Sequence, residues 1–211
     1  MHKKQFITAG KKQEDASKVL IMLHGRGGSA DDILSLAGHL QVNDFALIAP
    51  QATSHSWYPY SFLFPPLQNE PWLSSALSLI NDIVKDVKAK GISSENIYFA
   101  GFSQGACLTL EFVARHAVKY GGVAAFTGGL IGDKIYTENY SGDFSRTPIF
   151  IGSSDPDPHV PVERVNESAA ILEKMNALVT KKIYKNMGHT ISQDEISTVN
   201  EIIFSKERLP S

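Results

Sequence analysis

The chain has 211 residues, of which 43% are hydrophobic and 20% charged, a globular composition that argues against intrinsic disorder. Its formal net charge of −2 gives no overall attraction to nucleic acid or acidic membranes. No apolar run approaches the roughly 20 residues that cross a bilayer, and the N-terminal segment lacks the apolar core of a signal peptide. We therefore expect a single domain over residues 1–211, located in the cytoplasm.

Six short apolar runs follow one another along the chain and have the length of strands. They cover residues 19–23, 45–49, 97–100, 123–126, 149–151 and 182–184. Most are continuously apolar, as parallel strands covered on both faces should be.

Amphipathic helical segments lie between these runs. Apolar residues share one helical face over residues 73–87 and again over 162–172. Ser192 and Glu195 have capping-box spacing and predict a further helix start. The alternation of strands and helices predicts an α/β fold with a mostly parallel central sheet and helices on both faces. Ligands of such sheets bind at the carboxyl ends of the strands.

The run Gly101-Phe102-Ser103-Gln104-Gly105 stands where the third strand pattern gives way to a helical one. A serine on so sharp a turn needs neighbours without bulk two positions away, and both are glycine. Backbone N–H groups at the start of the helix then face the charge that develops when the hydroxyl attacks a carbonyl. We predict that Ser103 is the nucleophile of an ester hydrolase that forms an acyl-enzyme.

The partners that a serine nucleophile needs follow in the order Ser, Asp, His, each just after a predicted strand. His189 follows the last strand and is the candidate general base, since an imidazole can take and return a proton near neutral pH. The loop at residues 152–161 offers Asp155 and Asp157 as the carboxylate that orients it. We prefer Asp157, beside Pro158 and one short turn before a helix, and keep Asp155 as the alternative.

Two further loops are expected beside Ser103. The glycine-rich loop after the first strand supplies one N–H of the oxyanion hole in such a fold, and the residue after the nucleophile supplies the other. This assigns the backbone N–H groups of Arg26 and Gln104. The aromatic, proline-rich stretch at residues 56–66 either plugs the core or walls an acyl pocket with Trp57 and Tyr58. No metal-binding spacing is visible, and we expect neither a metal nor a cofactor.

Together these residues resemble the phospholipase/carboxylesterase branch of the α/β-hydrolases, which includes the acyl-protein thioesterases. The likeness runs from about Leu20 to near the end of the chain. The motifs that carry it are His24-Gly25, Ser56-Trp57, Glu70-Pro71, Gly101-Phe102-Ser103-Gln104-Gly105, Asp157-Pro158 with Val160-Pro161, and Gly188-His189. The resemblance implies an α/β-hydrolase fold and a triad of Ser103, Asp157 and His189.

The function that we expect is cofactor-free hydrolysis of a small acyl ester, with no nucleic acid partner and no membrane span. Arg26 stands where acyl-protein thioesterases tend to have an apolar residue, so we expect short to medium acyl chains. An acyl-thioesterase or a lysophospholipase would use the same residues and remains an alternative. A non-catalytic binding module on a hydrolase scaffold is the alternative of another class. The oligomeric state is left open, a homodimer included.

Overall fold

A seven-stranded sheet forms the centre of the computed structural model, which describes residues 1–205. The strands are β1 Phe6–Gly10, β2 Lys18–Leu23, β3 Phe45–Pro50, β4 Ile97–Phe102, β5 Gly122–Phe126, β6 Pro148–Asp155 and β7 Leu178–Lys185. They lie in the order β1-β3-β2-β4-β5-β6-β7. All neighbours are parallel except β1, which pairs antiparallel with β3. The predicted mostly parallel sheet is confirmed.

Within residues 1–205, five α-helices connect and cover these strands. They are α1 Ala30–Ser35, α2 Trp72–Ala89, α3 Gln104–Arg115, α4 Val162–Lys174 and α5 Gln193–Val199, the last continued by a π-helical turn at Asn200–Phe204. The helical segments expected at residues 73–87 and 162–172 are present. The Ser192 hydroxyl accepts a hydrogen bond from Glu195 N–H at the start of α5, and the Glu195 carboxylate accepts one from Ser192 N–H, as the capping-box spacing predicts.

The strand β1 is the element that the sequence pattern missed. All five of its residues are exposed, and it lies at the edge of the sheet beside β3. An exposed edge strand buries no continuous apolar run, so its sequence carries little of the signal by which the central strands were recognised. The strand β7 also starts at Leu178, earlier than the expected 182, because it lies at the opposite edge and is only partly buried.

The helices divide between the two faces of the sheet. In β2, Ile21 and Leu23 pack into a core with α2, α3 and α4, whereas Leu20 and Met22 pack into a second core with α1 and α5. This division follows from the strand geometry, since successive side chains point to opposite faces. Both faces are therefore buried, as the continuously apolar runs predicted.

The loops that carry the predicted site residues all leave the same edge of the sheet. They follow the carboxyl ends of β2, β3, β4, β6 and β7, and the carboxyl ends of parallel strands share one edge. No helix within residues 1–205 is both long and apolar enough to cross a membrane. The single domain over 1–211 stays a prediction.

The contact of α3 with β2 gives a stability prediction. A Cβ atom at Gly105 would collide with the carbonyl oxygens of Leu23 and His24, whereas one at Gly38 would meet no heavy atom within 4 Å. We expect Gly105→Ala to lower the free energy of unfolding by about 3 kcal/mol or more, because backbone cannot move aside cheaply. Gly38→Ala should leave it unchanged or raise it by up to about 1 kcal/mol. Equal urea midpoints for the two variants would contradict this.

Candidate active site

Ser103 lies on a strained turn between β4 and α3. Its backbone has φ 54° and ψ −119°, a region that a residue with a side chain rarely adopts and that is common at functional sites. The turn is tight enough that a Cβ at Gly101 would lie 2.5 Å from the carbonyl oxygen of Gly105. The two glycines of the motif are therefore required by the close approach of strand and helix, as the sequence predicted.

The hydroxyl of Ser103 is joined to an imidazole and a carboxylate by two short contacts. Ser103 Oγ lies 2.8 Å from His189 Nε2, and His189 Nδ1 lies 2.9 Å from Asp157 Oδ2. An ionised carboxylate can only accept hydrogen bonds, so Nδ1 carries the ring proton and donates a hydrogen bond to Asp157. The Nε2 atom is then left to accept the hydroxyl proton of Ser103. This is the arrangement that a general base requires.

The structure brings Asp157 to His189 and not Asp155. The Asp157 carboxylate is fully buried, and its Oδ1 accepts hydrogen bonds from the N–H groups of His159 at 2.8 Å and Val160 at 2.9 Å. Burial raises the pKa of this carboxyl, but the hydrogen bonds from His159, His189 and Val160 together outweigh it and leave the pKa below its usual value. Asp155 is exposed at the end of β6. The geometry thus favours Asp157 between the two alternatives.

Three neighbours hold the His189 loop in place, and the sequence analysis assigned none of them. The Ser154 hydroxyl accepts a hydrogen bond from Gly188 N–H at 2.9 Å. The ring of Phe102 lies 5.2 Å from the His189 ring, and the ring of His159 meets it edge-on at 5.0 Å, both between centroids. A serine at a strand end and an aromatic residue next to the nucleophile carry no spacing signal, so only the packed structure identifies them.

The two loop residues predicted for the oxyanion hole lie on either side of Ser103. Gln104 is the first residue of α3, where a backbone N–H has no partner within the helix. The loop that carries Arg26 passes close by, since a Cβ at Gly25 would lie 3.4 Å from the Cβ of Ser103. Their role in binding an oxyanion stays a prediction.

The side chains of these two residues also hold the aromatic loop after β3. Gln104 is buried, with Oε1 accepting from Trp57 N–H at 2.9 Å and Nε2 donating to the Tyr58 carbonyl at 2.8 Å. The Arg26 guanidinium donates to the carbonyls of Pro59 at 2.8 Å and Tyr60 at 2.7 Å. The residues beside Ser103 thus fix the position of a segment that lies 46 residues away from Gln104 and 33 from Arg26 along the chain.

A cavity of about 720 Å³ opens at Ser103. Apart from Ser103 and His189, much of its wall is apolar or aromatic and includes Tyr58, Phe62, Leu63, Cys107 and Val160. Burial raises the pKa of the Cys107 thiol to about 12, in agreement with the inert, buried thiol that its helical position suggests.

The two aromatic residues expected to wall an acyl pocket differ in their placement. Tyr58 lines the cavity. Trp57 instead lies behind the wall and is fully buried, with Nε1 donating to the His24 carbonyl at 2.8 Å and its ring packed beside those of His2 and His24. The expected placement of Trp57 therefore differs from the observed one, because its indole N–H finds a buried partner away from the cavity.

Within residues 1–205, no three His, Cys, Asp or Glu side chains are grouped so that they could hold a metal ion.

The family model described as phospholipase/carboxylesterase matches residues 2–205. The chain belongs to the phospholipase/carboxylesterase family. Within this family of α/β-hydrolases, it is 56% identical to a phospholipase/carboxylesterase from Dyadobacter fermentans, whose crystal structure superposes with a TM-score of 0.96 over 97% of this chain and 98% of that one.

Two more distant relatives also align with this chain over most of their length. The acyl-protein thioesterase 1 of Saccharomyces cerevisiae is 30% identical over 213 residues, covering 91% of this chain and 94% of the relative. The crystal structure of SOBER1 from Arabidopsis thaliana is 21% identical with a TM-score of 0.75, covering 89% of this chain and 97% of that one, and supports the fold alone.

The lowered pKa of Asp157 predicts how stability depends on pH. A carboxyl whose folded pKa lies below its unfolded value of about 3.9 stabilises the fold above that value and loses this contribution as pH falls through the folded pKa. Wild type and Asp157→Asn should therefore differ less in their free energy of unfolding as pH falls from about 5 to about 3. Urea titrations of both proteins over that range measure it, and a constant difference would contradict the prediction.

Proposed function

We propose that this member of the phospholipase/carboxylesterase family is a serine hydrolase that cleaves carboxylic esters with short to medium acyl chains through an acyl-serine intermediate. The observation that carries the proposal is the continuous hydrogen-bonded chain from Ser103 through His189 to the buried Asp157. Its distances and its order of groups are those that nucleophilic catalysis by serine needs.

The reaction follows from the positions of these groups. Ser103 Oγ attacks the ester carbonyl while its proton passes to His189 Nε2, and Asp157 stabilises the imidazolium that results. The backbone N–H groups of Arg26 and Gln104 donate to the negative oxygen of the tetrahedral intermediate. The intermediate collapses to the acyl-serine as Nε2 returns the proton to the leaving alcohol. Water, deprotonated by the same imidazole, then attacks the acyl group and releases the acid and the free serine.

Two alternatives are kept beside this proposal. Cleavage of a thioester or of a lysophospholipid would use the same residues, and the 30% identity to a yeast acyl-protein thioesterase favours keeping the first of them. A non-catalytic binding module is disfavoured, because a pocket that only binds a ligand would not require the hydrogen bonds that join Ser103, His189 and Asp157.

The cytoplasmic location and a small-molecule ester substrate remain part of the proposal. The oligomeric state stays open, a homodimer included.

The nucleophile is tested by covalent labelling and by turnover together. We expect wild type to gain one adduct from a fluorophosphonate probe in intact-protein mass spectrometry, and Ser103→Ala to gain none and to lose activity by a factor on the order of 10⁶. Asp155→Asn is the matched control, since that exposed carboxylate lies outside the hydrogen-bonded chain, and it should still be labelled. Activity of Ser103→Ala within tenfold of wild type would refute the assignment.

The acyl preference is tested with a series of p-nitrophenyl esters of increasing chain length. We expect kcat/KM to peak below about twelve carbons, because the charged Arg26 lines the cavity where acyl-protein thioesterases tend to have an apolar residue, and a long alkyl chain packs best against apolar walls. A maximum at twelve carbons or longer would overturn this part of the proposal. A matched oxygen ester and thioester of the preferred acid, assayed at equal concentration, then separates the esterase from the thioesterase.

A further inference from the structure

A groove separate from the Ser103 cavity adjoins it at the turn between β4 and α3. It has a volume of about 500 Å³ and shares Gly25, Arg26 and Phe102 with the larger cavity. The rest of its wall comes from α1 with the turn after it, and from the start of α5. The two spaces therefore adjoin at the residues that flank the nucleophile.

The groove and the cavity belong to opposite faces of the sheet. The cavity is walled by side chains such as Phe62 and Cys107, which pack into the core of α2, α3 and α4. The groove is floored by Ile33 and Ile196, which pack into the other core with α1 and α5. Phe102, at the carboxyl end of β4, packs against that second core and lies between the two spaces.

Such an arrangement suits the two halves of an ester. Both the acyl chain and the alcohol extend from one carbonyl carbon, and that carbon must lie at Ser103 Oγ. If the Ser103 cavity holds the acyl chain, the alcohol must leave in another direction, and the groove begins beside Phe102, whose ring packs on His189. His189 is also the group that protonates the leaving alcohol.

The groove differs from the cavity in its polar groups. Asp32, Ser35, His39 and Gln193 stand on its wall above an apolar floor. Asp32 Oδ2 accepts hydrogen bonds from the backbone N–H and the hydroxyl of Ser29 at 2.8 and 2.7 Å. Its Oδ1 accepts none from the residues that the structure describes, and is available to a ligand. These bonds from Ser29 hold the pKa of Asp32 below its usual value, so the carboxylate is an acceptor at neutral pH.

We propose that this groove is the leaving-group subsite, and that it receives a short aliphatic alcohol with a further hydroxyl group. The apolar floor contacts the carbon chain, and Asp32 Oδ1 accepts the hydrogen bond of the distal hydroxyl. The proposal rests on ester hydrolysis at Ser103 as proposed above. It states where the alcohol part of the ester binds, which the acyl cavity does not contact.

The size of the alcohol that the groove accepts is tested with two variants, one that narrows the groove and one that narrows the acyl cavity. Gln193 is exposed on the groove wall, and Leu63 lines the acyl cavity. We expect Gln193→Trp to lower the kcat/KM ratio of hexyl to methyl butyrate about tenfold or more, by steric exclusion. It should leave the ratio of methyl octanoate to methyl butyrate within about twofold. Leu63→Trp should give the reverse pattern. Ser197→Trp, which places the same new side chain on an exposed position of α5 outside the groove, should change neither ratio.

The chemistry of the alcohol is tested with Asp32→Asn. The asparagine oxygen can still accept from Ser29 and keep the start of α1, but it leaves an amide N–H₂ where Oδ1 stood. We expect the kcat/KM ratio of ω-hydroxybutyl butyrate to pentyl butyrate to fall about three- to tenfold, since a hydrogen bond to a charged acceptor is lost at a solvent-exposed position.

The outcomes separate the subsite from the activity on which it rests. If wild type hydrolyses none of these esters, the proposed function fails and the subsite with it. If methyl esters are hydrolysed but Gln193→Trp leaves the hexyl-to-methyl ratio unchanged, the subsite is overturned and the esterase stands. If the size effect is present and Asp32→Asn changes nothing, the hydroxylated alcohol is wrong.

Discussion

The close contact between the start of α3 and the end of β2 is the constraint on which the site depends. Gly105 lies directly against the carbonyl oxygens of Leu23 and His24, and Gly101 approaches Gly105 across the turn. Only backbones without side chains can pack so tightly, and the chain between them is forced into the positive φ of Ser103. The same contact brings the Gly25–Arg26 loop beside the serine. Ser103 and the two backbone N–H groups proposed as oxyanion donors are thus placed by one packing contact.

Asp157 and His189, the proposed acid and base, are held by a different and largely polar set of contacts. Asp157 is turned inward by the N–H groups of His159 and Val160, which leaves its second oxygen for His189. Ser154 holds the preceding Gly188, and the capping box at Ser192 fixes where α5 begins. The imidazole is therefore fixed from both ends of its loop, and a positioned base needs no reorganisation at the moment of proton transfer.

Arg26 and Gln104 connect these two regions to the cavity and the groove beside Ser103. Each offers a backbone N–H beside Ser103 and uses its side chain to hold the aromatic loop. The turn at Ser103 thus separates a cavity on one face of the sheet from a groove on the other. Two separate spaces beside Ser103 agree with the proposal that the acyl chain and the alcohol of an ester bind in different directions.

The sequence by itself determined the central strands, the helices on both faces, the elbow at Ser103 and the histidine after the last strand. These features rest on local periodicity and on glycines that a tight turn requires, and both are visible in neighbouring residues. Tertiary structure decided the rest. The exposed strand β1 carries no buried pattern, and both Asp155 and Asp157 fit the local motif. Trp57 and Tyr58 are adjacent in the chain, yet only Tyr58 faces the cavity. Which hydrogen bond a carboxylate or an indole makes depends on partners far away along the chain, and those meet only when the layers pack.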